Sequence, residues 1–332
     1  MNVLSLFDGV SCGRVALERA GVPVANYYAS EIDPHAIKIA KKNYPDTIHV
    51  GDVTKLEGRN LPQIDLILAG SPCQGFSHNG AKLGFDDPRS RLFWEFVRLV
   101  GECQPTWWLL ENVRMKKEWS DIITEAVGYE PILINSALVS AQRRMRLYWT
   151  NIPQNGLPED KGIVLKDILE KPVADEQPMT DAEGKAYCLT ATYSRCGNAT
   201  TGDAYNSEII HNTARHQRTC VLVAGKSASD TYNGQGNRVY SPNGKVGTLG
   251  TSGCHKVLTS GSDEGVAQPH ASKPVIKREN WRMLTPKECE RLQTLPDDYT
   301  TGVSNTQRYK ALGNGWTIDV IVHLLKSIST SS

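Results

Sequence analysis

The sequence predicts an α/β protein: a doubly wound sheet with helices on both faces, carrying a smaller, looped, β-rich domain. Three observations predict it. Short apolar runs alternate with helix-like stretches through the first half, the rhythm of strands joined by crossover helices. From about residue 167 to residue 273 the texture changes to Gly, Ser, Thr and Asn with brief alternating segments. After Lys277 helical texture returns. The expected division is therefore 1–166 for the first part of the main domain, 167–276 for the insertion and 277–332 for the return. With 332 residues, 39% hydrophobic and 22% charged, the chain can build one large or two smaller cores.

The elements follow in order. Val3 to Phe7 reads as a strand and Arg14 to Ala20 as a helix; Tyr27 to Ser30 and Pro34 to Asn43 repeat the pair. A third short strand falls at Ile48 to Val50. Ile64 to Ala69 precedes a helix from Arg91 to Cys103, and Trp107 to Leu110 precedes one from Trp119 to Val127. All these strands are expected to run parallel. Within the insertion, Tyr187 to Tyr193, Thr219 to Val223 and Lys256 to Thr259 read as short strands. Thr285-Pro286-Lys287-Glu288 has the form of an N-cap, a proline at the first helical position and a capping-box glutamate. A last apolar helix, Ile318 to Ile328, is expected to pack back on the first half.

Composition narrows the function classes. No run approaches 18 consecutive apolar residues and the N-terminus lacks a signal-like stretch, so a membrane or secretory destination is not expected and the cytoplasm is. Eight cysteines (12, 73, 103, 188, 196, 220, 254 and 289) stand without any Cys-x-x-Cys pair, which argues for reduced thiols and against a zinc site; no metal is expected. The net charge of +1 means that a nucleic-acid partner would be held by local basic patches.

Open parallel sheets bind ligands beyond the carboxyl ends of their strands, and there the chemistry-bearing residues gather. Phe7-Asp8-Gly9-Val10-Ser11-Cys12-Gly13 joins the first strand to its helix, where glycines let the backbone approach a cofactor. Glu31 ends the second strand, spaced to accept from both ribose hydroxyls of an adenosine or else to serve as a helix N-terminal charge beside Asp33-Pro34. Asp52 ends the third, where it can accept from an adenine amino group. Together they favour a nucleoside cofactor. Gly70-Ser71-Pro72-Cys73-Gln74-Gly75-Phe76-Ser77 follows the fourth strand, placing a cysteine in a stiffened loop at the sheet mouth. Glu111-Asn112-Val113 follows the next. A cysteine beside a carboxylic acid, with no histidine at a comparable strand end, suits attack on a pyrimidine ring: sulfur adds at C6 while the acid hydrogen-bonds N3.

On these residues the chain resembles the cytosine-C5 DNA methyltransferase family. Ser71-Pro72-Cys73-Gln74, Glu111-Asn112-Val113, the Gln-x-Arg-x-Arg run from Gln142 to Arg146, Leu284-Thr285-Pro286 through Arg291-Leu292-Gln293, and Gly313-Asn314 stand in the family's order. Asp87-Pro88-Arg89-Ser90-Arg91-Leu92-Phe93 and Phe7-Asp8-Gly9 look especially like the vertebrate de novo branch and related bacterial or phage enzymes. The resemblance implies a Rossmann-like methyltransferase sheet with a target-recognition domain, S-adenosyl-methionine as cofactor, and double-stranded DNA as partner. It implies Cys73 as nucleophile, Glu111 as the contact to N3 and the exocyclic amine, and Arg144 and Arg146 as base-binding residues. Its cofactor contacts fall on Phe7, Asp8, Gly9, Val10, Ser11, Cys12, Glu31, Ile32, Asp52, Val53, Leu92, Asn314, Gly315 and Trp316, with Pro72 shaping the adjoining loop. One departure stands out: the family's glycine pair reads Ser11-Cys12 here.

For DNA, the candidate contacts are Gln74, Ser77, Arg114, Arg215, Arg218, Thr248 and Leu249. The basic ones are suited to phosphates and the insertion's polar side chains to base edges. Two other readings stay open: an RNA cytosine methyltransferase, although the Cys-Phe-Thr motif of that branch is missing, and a catalytically inactive DNA-binding homologue. A restriction endonuclease counterpart fits the bacterial or phage resemblance.

Overall fold

β1 (Asn2–Leu6) is buried from Val3 to Leu6, and its alternate residues face opposite sides of the sheet. Val3 packs with Val15, Ala16 and Leu17, whereas Leu4 and Leu6 pack with Phe93, Phe96 and Leu99. Burial on both faces is what a central parallel strand requires. The structure, a computed structural model, describes residues 1–72, 92–170 and 284–329, together with the backbone of residues 220–222, 238–240, 256–258 and 281–283.

Helix α1 (Cys12–Arg19) leads to β2 (Asn26–Ser30), and α2 (Pro34–Asn43) leads to β3 (Ile48–His49). The chain then crosses to the other side of β1: β4 (Leu66–Gly70), α3 (Leu92–Cys103), β5 (Trp107–Val113) and α4 (Lys117–Val127) follow, then β6 (Ile132–Asn135) and β7 (Met145–Thr150). The seven strands stand in the order β3-β2-β1-β4-β5-β7-β6. β1 lies between β2 and β4, so the direction of winding reverses there, and that reversal opens a crevice at the carboxyl ends.

The five strands expected to run parallel do so, and two further strands join them antiparallel. β7 runs antiparallel to β5, with Glu111 opposite Tyr148 and Val113 opposite Arg146, and β6 is antiparallel to β7. A nine-residue connection, residues 136–144, reverses the chain where a parallel crossover would need a longer path. Glu111 also lies inside β5, not beyond its end.

α5 (Pro286–Leu292) begins as its sequence predicts: Thr285 is the N-cap, Pro286 the first helical residue, and Glu288 closes a capping box. α6 (Asn305–Asn314) and α7 (Ile318–Ser329) complete the domain, and α7 packs against α1. Ile321, Leu324 and Leu325 are fully buried there. The buried Glu290 carboxylate fixes the connection into α6, accepting from the Asp298 N–H (2.7 Å), the Thr300 N–H (2.7 Å), the Thr300 hydroxyl and the Arg308 guanidinium (2.9 Å). Removing either member of such a buried pair strands the other charge, at about 3–5 kcal/mol.

A second sheet contains β8 (Cys220–Leu222), β9 (Arg238–Tyr240), β10 (Lys256–Leu258) and β11 (Trp281–Met283), ordered β11-β10-β9-β8. The strands expected at Thr219 to Val223 and Lys256 to Thr259 are both present. Tyr187 to Tyr193 lies outside the described residues. Among the described residues, no helix is long and apolar enough to cross a membrane.

Candidate active site

A cavity of about 700 Å³ opens at the crevice beyond β1, β2, β4 and β5, closed from above by α6 and the turn after it. Its volume falls in the range of small-molecule sites. One wall is the loop from β1 to α1. Phe7, Gly9 and Ser11 have φ of 57°, 60° and 61°, so the backbone turns sharply three times within five residues. At Gly9 this left-handed conformation carries no side-chain penalty; at Phe7 and Ser11 surrounding contacts must hold it.

Ser11 is held by its own side chain. Its hydroxyl donates to Asp8 Oδ2 at 2.6 Å, and Asp8 Oδ1 accepts from the Tyr27 hydroxyl at 2.7 Å. Burial pushes the Asp8 carboxyl up, against the hydrogen bonds of Ser11, Ser5 and Tyr27 that pull it down. Ser11 thus faces into the loop and does not line the cavity. Cys12 does line it; burial pushes its thiol up to about 12, against a smaller downward pull from the Trp316 backbone. Gly13 has no room for a side chain: a Cβ would lie 2.7 Å from Leu68 Cδ1 and 2.9 Å from the Tyr27 hydroxyl. The Ser11-Cys12 departure is therefore accommodated, one side chain turned into the loop and the other packed in the wall.

Glu31 ties the second strand end to this loop. Its Oε2 accepts from the Gly9 N–H at 2.8 Å, while Oε1 accepts from the Ile32 and Asp33 N–H groups, both at 2.8 Å. A carboxylate has about four acceptor sites, so room for a further donor remains. Ile32 beside it is 72% exposed, an apolar side chain presented at the cavity mouth. Asp52 Oδ1 accepts from the Thr54 N–H (3.0 Å) and hydroxyl (2.9 Å), which lower the carboxyl below its ordinary value. Val53, Pro72 and Leu92 complete the wall. Across the rim, Lys310 Nζ donates to Asp33 Oδ2 at 2.7 Å, bracing α6 on the N-terminus of α2. Partial burial pushes the Asp33 carboxyl up, but Lys310 and the His35 and Ala36 N–H groups bring it below the usual range.

The opposite wall is made of side chains from β5 and β7. Glu111, 7% exposed, pairs through Oε1 with Arg146 Nε at 2.8 Å and accepts at Oε2 from the Trp316 indole N–H at 3.2 Å. The cross-strand register brings Arg146 beside the acid, and without β7 the guanidinium would have no path there. Arg144 also lines the cavity. Its guanidinium donates to the Gly313 carbonyl at 3.3 Å and the Gly315 carbonyl at 2.9 Å, fastening the turn after α6. Asn112 donates to the Ser71 hydroxyl at 2.9 Å, joining β5 to the residues that precede Cys73 in the chain.

Thus Glu111, Arg144, Arg146, Phe7, Asp8, Gly9, Val10, Cys12, Glu31, Ile32, Asp52, Val53, Pro72, Leu92, Asn314, Gly315, Trp316 and the exposed Arg114 are brought to one cavity. Cys73, Gln74, Ser77, Arg215, Arg218, Thr248 and Leu249 lie outside the described residues. Sequence reading missed Ser30, His35, Gln307 and Lys310, which also line the cavity. Asp33-Pro34 signals that a helix begins beside Glu31; α6 carries no such signal, because its approach depends on the Glu290 clamp, far along the chain from β1. Among the described residues, no group of three or more His, Cys, Asp or Glu is placed to hold a metal.

The C-5 cytosine-specific DNA methylase family model matches residues 1–330. The Type II methyltransferase M1.ScrFI of Lactococcus lactis subsp. cremoris is 29% identical over 338 residues, covering 96% of this chain and 76% of its own length. The orphan methyltransferase M.SPRI of Bacillus phage SPR is 26% identical over 429 residues, covering 99% and 97%. Among solved structures, a DNMT2 variant from Spodoptera frugiperda superimposes with a TM-score of 0.63 at 18% identity, over 99% of each chain, a likeness of fold.

Proposed function

This chain belongs to the C-5 cytosine-specific DNA methylase family, and on that premise we propose that it transfers a methyl group from S-adenosyl-methionine to carbon 5 of a cytosine in duplex DNA. The observation that carries the reading is the buried Glu111, held by Arg146 and Trp316 at one end of a cavity whose other end is a turned backbone and a carboxylate. An acid, an apolar slot and an open carboxylate in one space match a nucleoside cofactor beside a heterocyclic base.

The cofactor fits the residues present. Glu31 keeps acceptor capacity for ribose hydroxyls, Asp52 stands by with Val53, Ile32 and Leu92 as apolar neighbours, and the Gly9 turn leaves open space where a Cβ would sit, its nearest neighbour 4.0 Å away. When bound, S-adenosyl-methionine supplies an electrophilic methyl on a sulfonium sulfur. The protein's own work is to receive and activate the base. The cytosine is swung out of the duplex, at an unstacking cost of a few kcal/mol. Glu111 holds N3 and the exocyclic amine, and Arg146 keeps the carboxylate in place. Cys73 sulfur bonds to C6, making C5 nucleophilic; after methylation the C5 proton leaves, the C6–S bond breaks and the thiolate returns. Arg144, implied as a base contact by the family resemblance, we place as a positioning residue, because its guanidinium holds the Gly313 and Gly315 carbonyls.

Residues 167–276 serve as the target-recognition domain, with Arg114, Arg215 and Arg218 on phosphates and Gln74, Ser77, Thr248 and Leu249 near the base pairs. The protein works in the cytoplasm of a bacterial or phage-infected cell. One relative is named as a Type II enzyme and another as an orphan, so a restriction endonuclease counterpart is a matter for the host genome. Incubation with tritiated S-adenosyl-methionine on duplex DNA and on bulk RNA tests the proposal. Label in DNA, at cytosine C5, is expected; label in RNA alone contradicts it.

A further inference from the structure

Trp316 is the only side chain donating to Glu111 from outside the β5–β7 pair among the described bonds, and its backbone is unusually well fixed. Before it, Arg144 and Gln293 Nε2 both donate to the Gly315 carbonyl, at 2.9 Å and 3.3 Å; after it, the Thr317 hydroxyl donates to Gln293 Oε1 at 2.9 Å. The turn also packs on the β1–α1 loop: a Cβ at Gly315 would lie 3.2 Å from the Cys12 Sγ. The indole has little freedom either. A Cβ at Gly70 would lie 2.8 Å from Trp316 Nε1, and one at Gly13 would lie 3.6 Å from Cζ3. The ring therefore fills a slot that two glycines leave open, one at each wall of the cavity.

We propose that Trp316 is a positioning residue: held by the turn that lines the cofactor side, its indole N–H sets the orientation of the Glu111 carboxylate toward the cytosine. This rests on the function proposed above. Arg146 Nε at Oε1 and Trp316 Nε1 at Oε2 define the carboxylate plane from two sides, leaving its remaining edge to the base. The indole N–H is a donor only, so it steers the acid without competing for its proton. Because the preceding Gly315 packs against Cys12, a shift of the β1–α1 loop is carried through the turn to the ring and so to the acid.

The test is steady-state methyl transfer by the full chain and its Trp316→Phe variant, which keeps an aromatic ring and removes the donor. Loss of a hydrogen bond to a charged group predicts kcat lower by about tenfold. The loss persists at saturating cofactor, whatever the substitution does to cofactor KM. Gly70→Ala, which pushes on Nε1 while keeping the tryptophan, gives the same loss at saturating cofactor and serves if the phenylalanine variant does not fold. An unchanged kcat, or a loss that saturating cofactor restores, overturns the proposal. A second readout needs no activity: the indole N–H resonance assigned to Trp316 by its absence in Trp316→Phe shifts in Glu111→Gln, and an unmoved resonance overturns the contact. A wild-type protein inactive on every cytosine substrate would instead overturn the function on which the inference rests.

Discussion

Along the wall made by the β1–α1 loop and Glu31 the backbone does the shaping. Phe7, Gly9 and Ser11 turn the chain, Glu31 is engaged by three main-chain N–H groups, and Ser11 and Asp8 spend their polar atoms inside the loop. Across the cavity, side chains do it: Glu111, Arg146 and Trp316 meet from three separate elements. The turned loop and the carboxylate that anchors it are local, within 33 residues of the N-terminus; the second wall joins positions up to 205 residues apart. A local wall tolerates exchange of a side chain that faces inward, as Ser11 does. A wall of converging side chains is expected to lose chemistry when one member changes, with binding left largely intact.

Substitutions on each side can break that distinction. Glu111→Gln keeps volume and one acceptor, so the fold should survive, while methyl transfer falls by about 10²–10⁴-fold, the scale of a lost general-acid contribution. Cofactor affinity measured by calorimetry should hold. Glu31→Ala predicts the reverse: cofactor Kd rises by about 10- to 100-fold, as expected for lost charge-assisted hydrogen bonds, and kcat at saturating cofactor changes little. If Glu31→Ala lowered kcat with unaltered Kd, the two walls would not be separable.

Smallest in effect is the behaviour of Cys12. Burial raises its thiol to about 12, so at pH 8 the reactive thiolate is roughly one part in 10⁴. Iodoacetamide followed by mass spectrometry should leave Cys12 unmodified in the native protein and modified after unfolding. The linkage has a definite sign. A folded-state value above the ordinary 9.0 means that this contribution to stability is complete below pH 9 and is lost as pH rises toward 12. Burial also raises the Tyr27, Tyr148 and Tyr299 hydroxyls, so they add to the same alkaline loss. Cys12→Ala should flatten the alkaline limb of the unfolding curve, measured by circular dichroism between pH 9 and 12, without removing it.

The contrast between the walls also explains what could be read in advance. The β1–α1 loop, Glu31 and Asp52 follow their strands directly, so a pattern of apolar runs and punctuation locates them. Glu111 was equally legible as a residue, but its place inside β5 was not, because β7 extends the pairing to Val113. Ile132 to Ile134 and Leu147 to Trp149 were passed over: a short antiparallel hairpin breaks the strand–helix rhythm that guided the reading. The Trp316 contact depends on a turn locked by Arg144 and Gln293, and no local pattern carries that information. The same holds for Glu290, a charged residue in an amphipathic helix whose complete burial follows only from the loop folded around it.

The central claim is that Cys73 forms a covalent bond to the base that Glu111 receives. A duplex carrying 5-fluorocytosine tests it most directly, because fluorine at C5 prevents the final proton loss and traps the adduct. With S-adenosyl-methionine present, wild-type protein should form a complex that survives denaturing electrophoresis, and Cys73→Ala should form none. A complex that persists in Cys73→Ala, or its absence from a wild-type protein that methylates unmodified DNA, would contradict the account.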